Sequence, residues 1–196
     1  MREIKNNGYE IAPTAPRENF LPHPALQLED LEAYSMLAIA GVSEKPWQDE
    51  GLRRYGVALV IGRFQPLHAG HIYLFHRALA LADTIIIGIG SANVQNEDNP
   101  FSVQVRELLV HRAIQREDIV PRVVNVVPLN DCFNDDAWLK EAIARTGKVD
   151  AVIGNNEWVN GIFVGYGIPA IEVPLFNRDR FEGRKIRQQL RQQRKL

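Results

Sequence analysis

The chain has a single cysteine, Cys132, in 196 residues. An internal disulfide and a multi-cysteine metal site are thereby excluded, and a reducing, cytoplasmic setting is the expectation. No apolar run approaches the roughly 20 residues that a membrane-spanning helix needs, so no membrane partner is expected. The opening segment, MREIKNNGYE, lacks the apolar core of a signal peptide. An excess of one charge sign is missing too. Lys and Arg number 23 against 24 Asp and Glu, for a formal net charge of −1, so no global field draws the chain toward nucleic acid or membrane. Several catalytic signatures are absent. There is no GxxxxGK[ST] phosphate loop and no GxSxG elbow. Gly88 and Gly90 do not complete a GxGxxG fingerprint, and they follow the second apolar run rather than the first. No internal repeat or low-complexity tract occurs.

What is present suits one globular domain. Apolar residues make up 45% and charged residues 24%, the balance of a folded soluble chain. From residue 56 onward, β-branched runs alternate with segments of helical periodicity. The pattern predicts strands over 56–61, 84–89, 122–127, 149–153 and 170–173. It predicts helices over 71–82, 102–114, 135–144 and from 183 onward, with Ser102 as an N-cap. Near-continuous apolar strands alternating with helices imply an α/β fold: a Rossmann-like, doubly wound parallel sheet of about five strands, with helices on both faces. Ligands bind such sheets beyond the carboxyl ends of the strands. Residues 1–55 read as an N-terminal extension, partly irregular because of Pro13, Pro16, Pro22 and Pro24, with a short helix over 25–40. Residues 56–196 form the domain.

Charge is unevenly spread. Residues 1–55 hold six Lys or Arg and nine Asp or Glu, a net of −3, whereas residues 177–196 hold eight and two, a net of +6. Three readings of the basic tail stand together: a solvated helix face, a nucleic-acid surface, or an anion site for a nucleotide.

Chemistry concentrates where the first strand meets the first helix, in Gly62-Arg63-Phe64-Gln65-Pro66-Leu67-His68-Ala69-Gly70-His71. The chain must turn sharply there, which gives Gly62 and Gly70 a structural task. Pro66 stiffens the loop. A helix N-terminus offers free N–H groups and the positive end of the helix dipole. Two imidazoles three residues apart, with Arg63 before them, make a phosphate cradle at that terminus. Metal binding by the histidine pair finds no third ligand. Phosphoryl-type transfer needs little beyond positioning and charge stabilisation.

This segment, in the form GRFQPxHxGH, resembles the HxGH nucleotidyltransferases, and more narrowly the archaeal-type nicotinamide-mononucleotide (NMN) adenylyltransferases, including the forms fused to a Nudix domain. Further segments recur in that family's order: IIIGIGSA (85–92), NPF (99–101) followed by Arg106, FNDDAW (133–138), IGN (153–155) and FNR (176–178). A last helix with Gly183, Ile186 and Arg187 follows, so the resemblance covers about 57–190. It implies the reaction of ATP with NMN to give NAD and pyrophosphate, with Mg2+ accompanying the triphosphate. No Nudix domain is expected in these residues. His68 and His71 are then expected on the ATP phosphates, with Arg63, Arg106 and Arg187 as cationic partners. Gly62, Phe64 and Gly70 shape the loop. The backbone from Gly88 to Ser91 lines the nucleotide crevice. Gly154 and Asn155 lie near adenosine, and Asn177 and Gly183 flank the phosphate-binding helix. For NMN, Asn134 is expected to meet the carboxamide and Trp138 the pyridinium ring, against the alternative that Trp138 is a core aromatic. Phe133 is read as packing. Relatives of this kind are commonly oligomeric, so a homo-oligomer is expected and nucleic acid is not.

One departure from the family pattern bears on the site. Its last motif carries hydroxyl residues, where this chain has Glu182-Gly183-Arg184-Lys185-Ile186-Arg187. Arg184 is expected to replace hydrogen bonds with charge. Two other function classes remain at this point: transfer to a different phosphate acceptor, which would not need Asn134 and Trp138, and a non-catalytic nucleotide binder.

Overall fold

The apolar runs become five parallel strands in one sheet: β1 (Tyr55–Gly62), β2 (Ala82–Ile89), β3 (Val123–Pro128), β4 (Ala151–Ile153) and β5 (Ala170–Ile171), in the order β3-β2-β1-β4-β5. The computed structural model describes residues 54–192. The extension before Arg54, the helix expected over 25–40 and residues 193–196 lie outside them. Five helices connect or follow the strands: α1 (Ala69–Leu81), α2 (Val103–Arg116), α3 (Asp135–Thr146), α4 (Glu157–Gly165) and α5 (Gly183–Gln192). No helix among the described residues is long and apolar enough to cross a membrane.

Alternation along the strands sorts the core into two layers. Ala58, Val60, Ile85, Ile87 and Ile89 face α1 and α2, together with Phe75, Ala78, Leu109 and Val110. Leu59, Ile86, Val127 and Val152 face α3 and α4, together with Trp138, Leu139 and Phe163. A small third cluster of Phe101, Ile186 and Leu190 seats α5. The strand order reverses between β1 and β4, which places the crevice of such a sheet beyond the carboxyl ends of these two strands.

Some boundaries differ from expectation, each for a local reason. Ala82 opens β2 instead of closing α1, because it pairs with Tyr55 across the ladder. Arg122 lies in a 3-10 turn, and its guanidinium donates to the carbonyl of Leu79 in the last turn of α1 and to those of Ala82 and Asp83 just beyond it. The fourth strand starts only at Ala151. Asp150 instead grips β1 at Val57, donating N–H to O at 2.8 Å and accepting from Val57 N on its carboxylate at 2.9 Å. Helix α4 is absent from the sequence expectation. Asn156 caps it, accepting from Trp158 N and Val159 N.

Candidate active site

The loop after β1 folds tightly onto itself. Phe64 takes a left-handed φ of 50°, which costs a non-glycine residue of the order of 1–2 kcal/mol. Burial of its ring offsets that cost. Phe64 is 1% exposed and meets the His71 ring edge-on at 4.9 Å and Phe75 at 5.8 Å. The ring lies so close to Gly62 that a Cβ there would sit 2.8 Å from it. Gln65, which the sequence reading passed over, is 3% exposed and exchanges two hydrogen bonds with the backbone of Phe101, both 3.0 Å. It joins the loop after β1 to the segment before α2. Its place beside Pro66 within the motif was the only signal for it.

His68 is the N-cap of α1. The His68 and His71 rings stack with centroids 3.8 Å apart and planes 24° apart. His71 Nδ1 accepts from the His68 backbone N–H at 3.2 Å, so the neutral His71 ring carries its proton on Nε2. His68 Nδ1 is buried and has no hydrogen-bond partner among the described residues. Gly70 is required beneath it, because a Cβ would come within 3.0 Å of His68 Cε1. Burial lowers the His68 pKa to about 4, with a backbone hydrogen bond opposing the shift. Burial, and then the proximity of His68, hold His71 well below the ordinary imidazole range. At pH 7 the pair therefore offers neutral rings that can donate N–H without carrying full charge.

The three arginines expected on phosphate separate. Arg63 is exposed at the crevice. Arg187 is 7% exposed. It donates from Nη1 to the Gln65 carbonyl at 2.8 Å and keeps Nη2 3.8 Å from Asp98 Oδ1. Burial, then the neighbouring Arg63, lower its pKa. Gly183 permits this approach, since a Cβ there would press on the Gln65 oxygen at 3.1 Å. Arg106 is placed differently from the other two. It is fully buried, and its guanidinium donates to the carbonyls of Gly90 (2.7 Å), Arg63 (2.9 Å), Ser91 (3.1 Å) and Ser102 (3.4 Å). It clasps the loops after β1 and β2 and presents no open fork to a phosphate. Burial lowers its pKa to about 10, with Asp131 opposing and Arg63 adding to the shift.

Other expectations divide in the same way. Gly88 serves packing, because a Cβ there would lie 2.7 Å from Leu129 Cδ1. Ser91, at φ 49°, turns its Oγ to Asp131 Oδ1 at 3.1 Å. A cleft of about 250 Å3 opens beside the histidines, bounded by His68, His71, Asn155, Phe176, Arg178, Glu182 and Gly183. Asn155 is fastened through both its amide atoms to the backbone of Val173. Gly154 beneath it accepts from Asn160 Nδ2 at 3.0 Å and has open space where a Cβ would stand. Tyr73 and Phe176 stack at 5.2 Å on the same wall. Asn177, at φ 40°, turns the chain toward α5 by accepting from Arg180 N and Phe181 N. Arg184 points outward: its side chain is 78% exposed, and its Nε meets Glu182 Oε1 at 3.3 Å. The acid that replaces the family's hydroxyl is thus held by Arg184, and by Lys185 at 3.6 Å.

Beyond β3, Asn134 is exposed but commits its Oδ1 to capping α3, accepting from Ala137 N at 2.8 Å. Trp138 is 3% exposed. Phe163 meets it edge-on at 6.0 Å and Trp158 lies over it at 4.9 Å, so the core alternative describes Trp138 and its ring face is not open. Phe133, read as packing, is fully exposed.

Residues 59–172 match the cytidylyltransferase-like family. The nicotinamide-nucleotide adenylyltransferase of Thermoplasma acidophilum is 37% identical over 136 residues, 68% of this chain and 74% of that protein. The protein of that name from Archaeoglobus fulgidus is 33% identical over 137 residues, 68% and 79%. Among solved structures, a bifunctional NMN adenylyltransferase/ADP-ribose pyrophosphatase from Francisella tularensis superposes with a TM-score of 0.61 at 27% identity. That match covers 71% of this chain, which spans 43% of the bifunctional protein. A second structure of that protein, complexed with AMP and a manganese ion, gives 0.55 at 26% identity, covering 70% and 42%. With the 3-2-1-4-5 sheet, the stacked HxGH histidines and these likenesses in hand, the chain belongs to the cytidylyltransferase-like nucleotidyltransferases and, among them, to the nicotinamide-nucleotide adenylyltransferases.

Proposed function

We propose that this chain joins ATP and NMN to give NAD and pyrophosphate. One observation carries the reading: two stacked neutral imidazoles at the N-terminus of α1, with the buried Arg187 pinned to the loop before them, beside an open cleft. In the proposed step an oxygen of the NMN phosphate attacks the α-phosphorus of ATP. The bond from that phosphorus to the α,β-bridging oxygen breaks, and pyrophosphate leaves with the electron pair. The attacking phosphate is already an anion at neutral pH, so no general base is needed. Catalysis is alignment plus stabilisation of charge on the α- and β-phosphates.

We assign His68, His71 and the free N–H groups of the first turn of α1 to those phosphates, with Arg63 and Arg187 supplying positive charge. Asn155, Phe176, Arg178 and Gly183 border the nucleotide in the adjoining cleft. Arg106 acts one step back, by holding the loops that carry Arg63 and Ser91. Among the described residues no three His, Cys, Asp or Glu converge on a metal position. A divalent ion therefore fits as part of the substrate, MgATP, with its ligands from phosphate and water. The proposal includes a homo-oligomer working in the cytoplasm; the lone thiol suits a reducing compartment, and light scattering tests the assembly. The deciding experiment incubates the protein with ATP, Mg2+ and a panel of phosphate acceptors and reads the products by mass spectrometry. NAD from NMN is the expected product. A nucleotide adduct of another acceptor in its place, or no adduct, overturns the reading.

A further inference from the structure

Gln65 closes a circuit between the loop after β1 and α5. Its side chain is buried, with the amide N–H donating to the Phe101 carbonyl and the amide oxygen accepting from the Phe101 N–H, both at 3.0 Å. The buried Phe101 ring packs with Ile186 and Leu190 of α5. The backbone carbonyl of Gln65 in turn accepts from Arg187 Nη1 at 2.8 Å, inside the protein. Arg187 follows Ile186 on the same helix. One residue thus holds α5 twice, through Phe101 from its side chain and through Arg187 from its main chain. Satisfying the Phe101 backbone accounts for a buried amide at position 65. It does not account for the second contact, in which the peptide so fixed is the one that receives Arg187. Nor does it account for the glycine at position 183, where a Cβ would stand 3.1 Å from that same oxygen and 3.4 Å from Arg187 Nη1.

We infer that Gln65 is a positioning residue for the proposed transfer: by locking its own peptide to Phe101, it aims the Arg187 guanidinium at the phosphates. The inference rests on the function proposed above and names the residue through which Arg187 is set. With Nη1 committed to the Gln65 oxygen, the guanidinium is fixed in orientation, and Nη2 faces Asp98 Oδ1 at 3.8 Å, beyond hydrogen-bond reach. The Asp98 side chain is 78% exposed, so an arriving polyphosphate can displace it. A guanidinium oriented before the substrate arrives needs no reorganisation as charge develops on the phosphates, and that benefit appears as rate. A loosened Gln65 peptide leaves the positive charge in place and removes its aim.

The test compares NAD formation by the wild type, Gln65→Met, Arg187→Ala and the double variant, with Gln65→Asn beside them. Methionine keeps the length of the side chain and breaks both bonds to Phe101. Gln65→Met is expected to lower kcat about tenfold, the worth of one well-aimed hydrogen bond to a charged group. KM for ATP and for NMN should each move less than about twofold, since the interaction lost is one made in the transition state. In the Arg187→Ala background the same substitution is expected to lower kcat less than about twofold, because no guanidinium is left to aim. Gln65→Asn, whose amide falls one methylene short, is expected to lose about threefold, and it carries the cycle with Arg187→Ala if Gln65→Met does not fold. A Gln65 loss undiminished in the Arg187→Ala background would show that Gln65 supports the fold and not the arginine, and it overturns the inference. An unchanged kcat in Gln65→Met, a loss confined to KM, or a wild-type kcat in Arg187→Ala overturns it too. Failure of the wild type to form NAD sinks the proposed function instead. The inference is then decided by the same cycle read on ATP affinity by calorimetry, where additive losses, or no ATP binding at all, overturn it.

Discussion

Replacing Arg106 with methionine separates a clasp from a substrate ligand. The guanidinium donates to four carbonyls, and three of them belong to the loops after β1 and β2, at Arg63, Gly90 and Ser91. Methionine fills much of the same volume and donates nothing. The orphaned loop carbonyls are left inside the protein at roughly 1–3 kcal/mol each. Part of this is recovered, because a buried guanidinium itself carries a desolvation cost, visible as its lowered pKa of about 10. A net loss of about 3–6 kcal/mol is the outcome, a large share of the 5–15 kcal/mol that typically holds a domain together. Arg106→Lys keeps the charge but reaches fewer carbonyls, and is expected to lose about half as much. The assay is urea unfolding without any nucleotide, followed by ATP titration of whichever variant folds. A clasp lowers the ligand-free midpoint, and it weakens ATP binding only through the displaced loops. An unchanged midpoint with sharply weaker ATP affinity would place the guanidinium on a phosphate and refute the assignment.

Why the sequence makes the histidine pair conspicuous and gives no sign of the Arg106 clasp is a matter of range. The HxGH segment is local. The cap at His68, the stacking of His71 and the need for glycine at position 70 all arise within four residues, so spacing alone exposes them. The strands were legible for the same reason, since buried parallel strands are continuous β-branched runs. Arg106 is decided by three carbonyls that only the folded sheet turns toward it, two of them from a strand end 15 or 16 residues away. Gly88 looked like a ligand-lining glycine, but its neighbour is Leu129 from beyond β3. Trp138 matched a family pattern, yet its exposure depends on Trp158, a residue on a helix the periodicity did not reveal. That helix was hidden because Gly161 interrupts its apolar stripe. The cap at Asn156, followed by Val159, Ile162 and Phe163 at helical spacing, was the available signal. Helices on both faces were legible from the same alternation, whereas the sheet order was beyond any local pattern.

Further outcomes follow from the site as built. His71→Ala or His68→Ala is expected to lower kcat about a hundredfold or more, the worth of a preorganised charge stabiliser, with the fold retained; near-normal turnover in both would remove the pair from the chemistry. Arg184→Ser is expected to weaken ATP binding about twofold at low salt, because it unshields Glu182 at the cleft wall. The effect should vanish in a Glu182→Gln background, and an equal loss there would mean that Arg184 touches the nucleotide itself. His68 titrates at about 4 when folded, against 6.5 for an ordinary imidazole, chiefly because it is buried. The unfolded chain therefore binds more protons in that window. The stability of the neutral ring is fully present above pH 6.5 and drains away as pH falls toward 4, by up to about 1.4 kcal/mol per pH unit for one such group. Urea midpoints at pH 7, 6 and 5 should fall more steeply in the wild type than in His68→Gln, where the carboxylates titrate as before and the buried imidazole is gone; parallel curves would show that His68 is not held neutral. Triphosphate reverses the sense, since an anion against the rings favours the imidazolium form. ATP binding at pH 6 should then take up protons, and its calorimetric enthalpy should change with the ionisation enthalpy of the buffer. Equal enthalpies in all buffers would show that the phosphates do not reach the histidine pair.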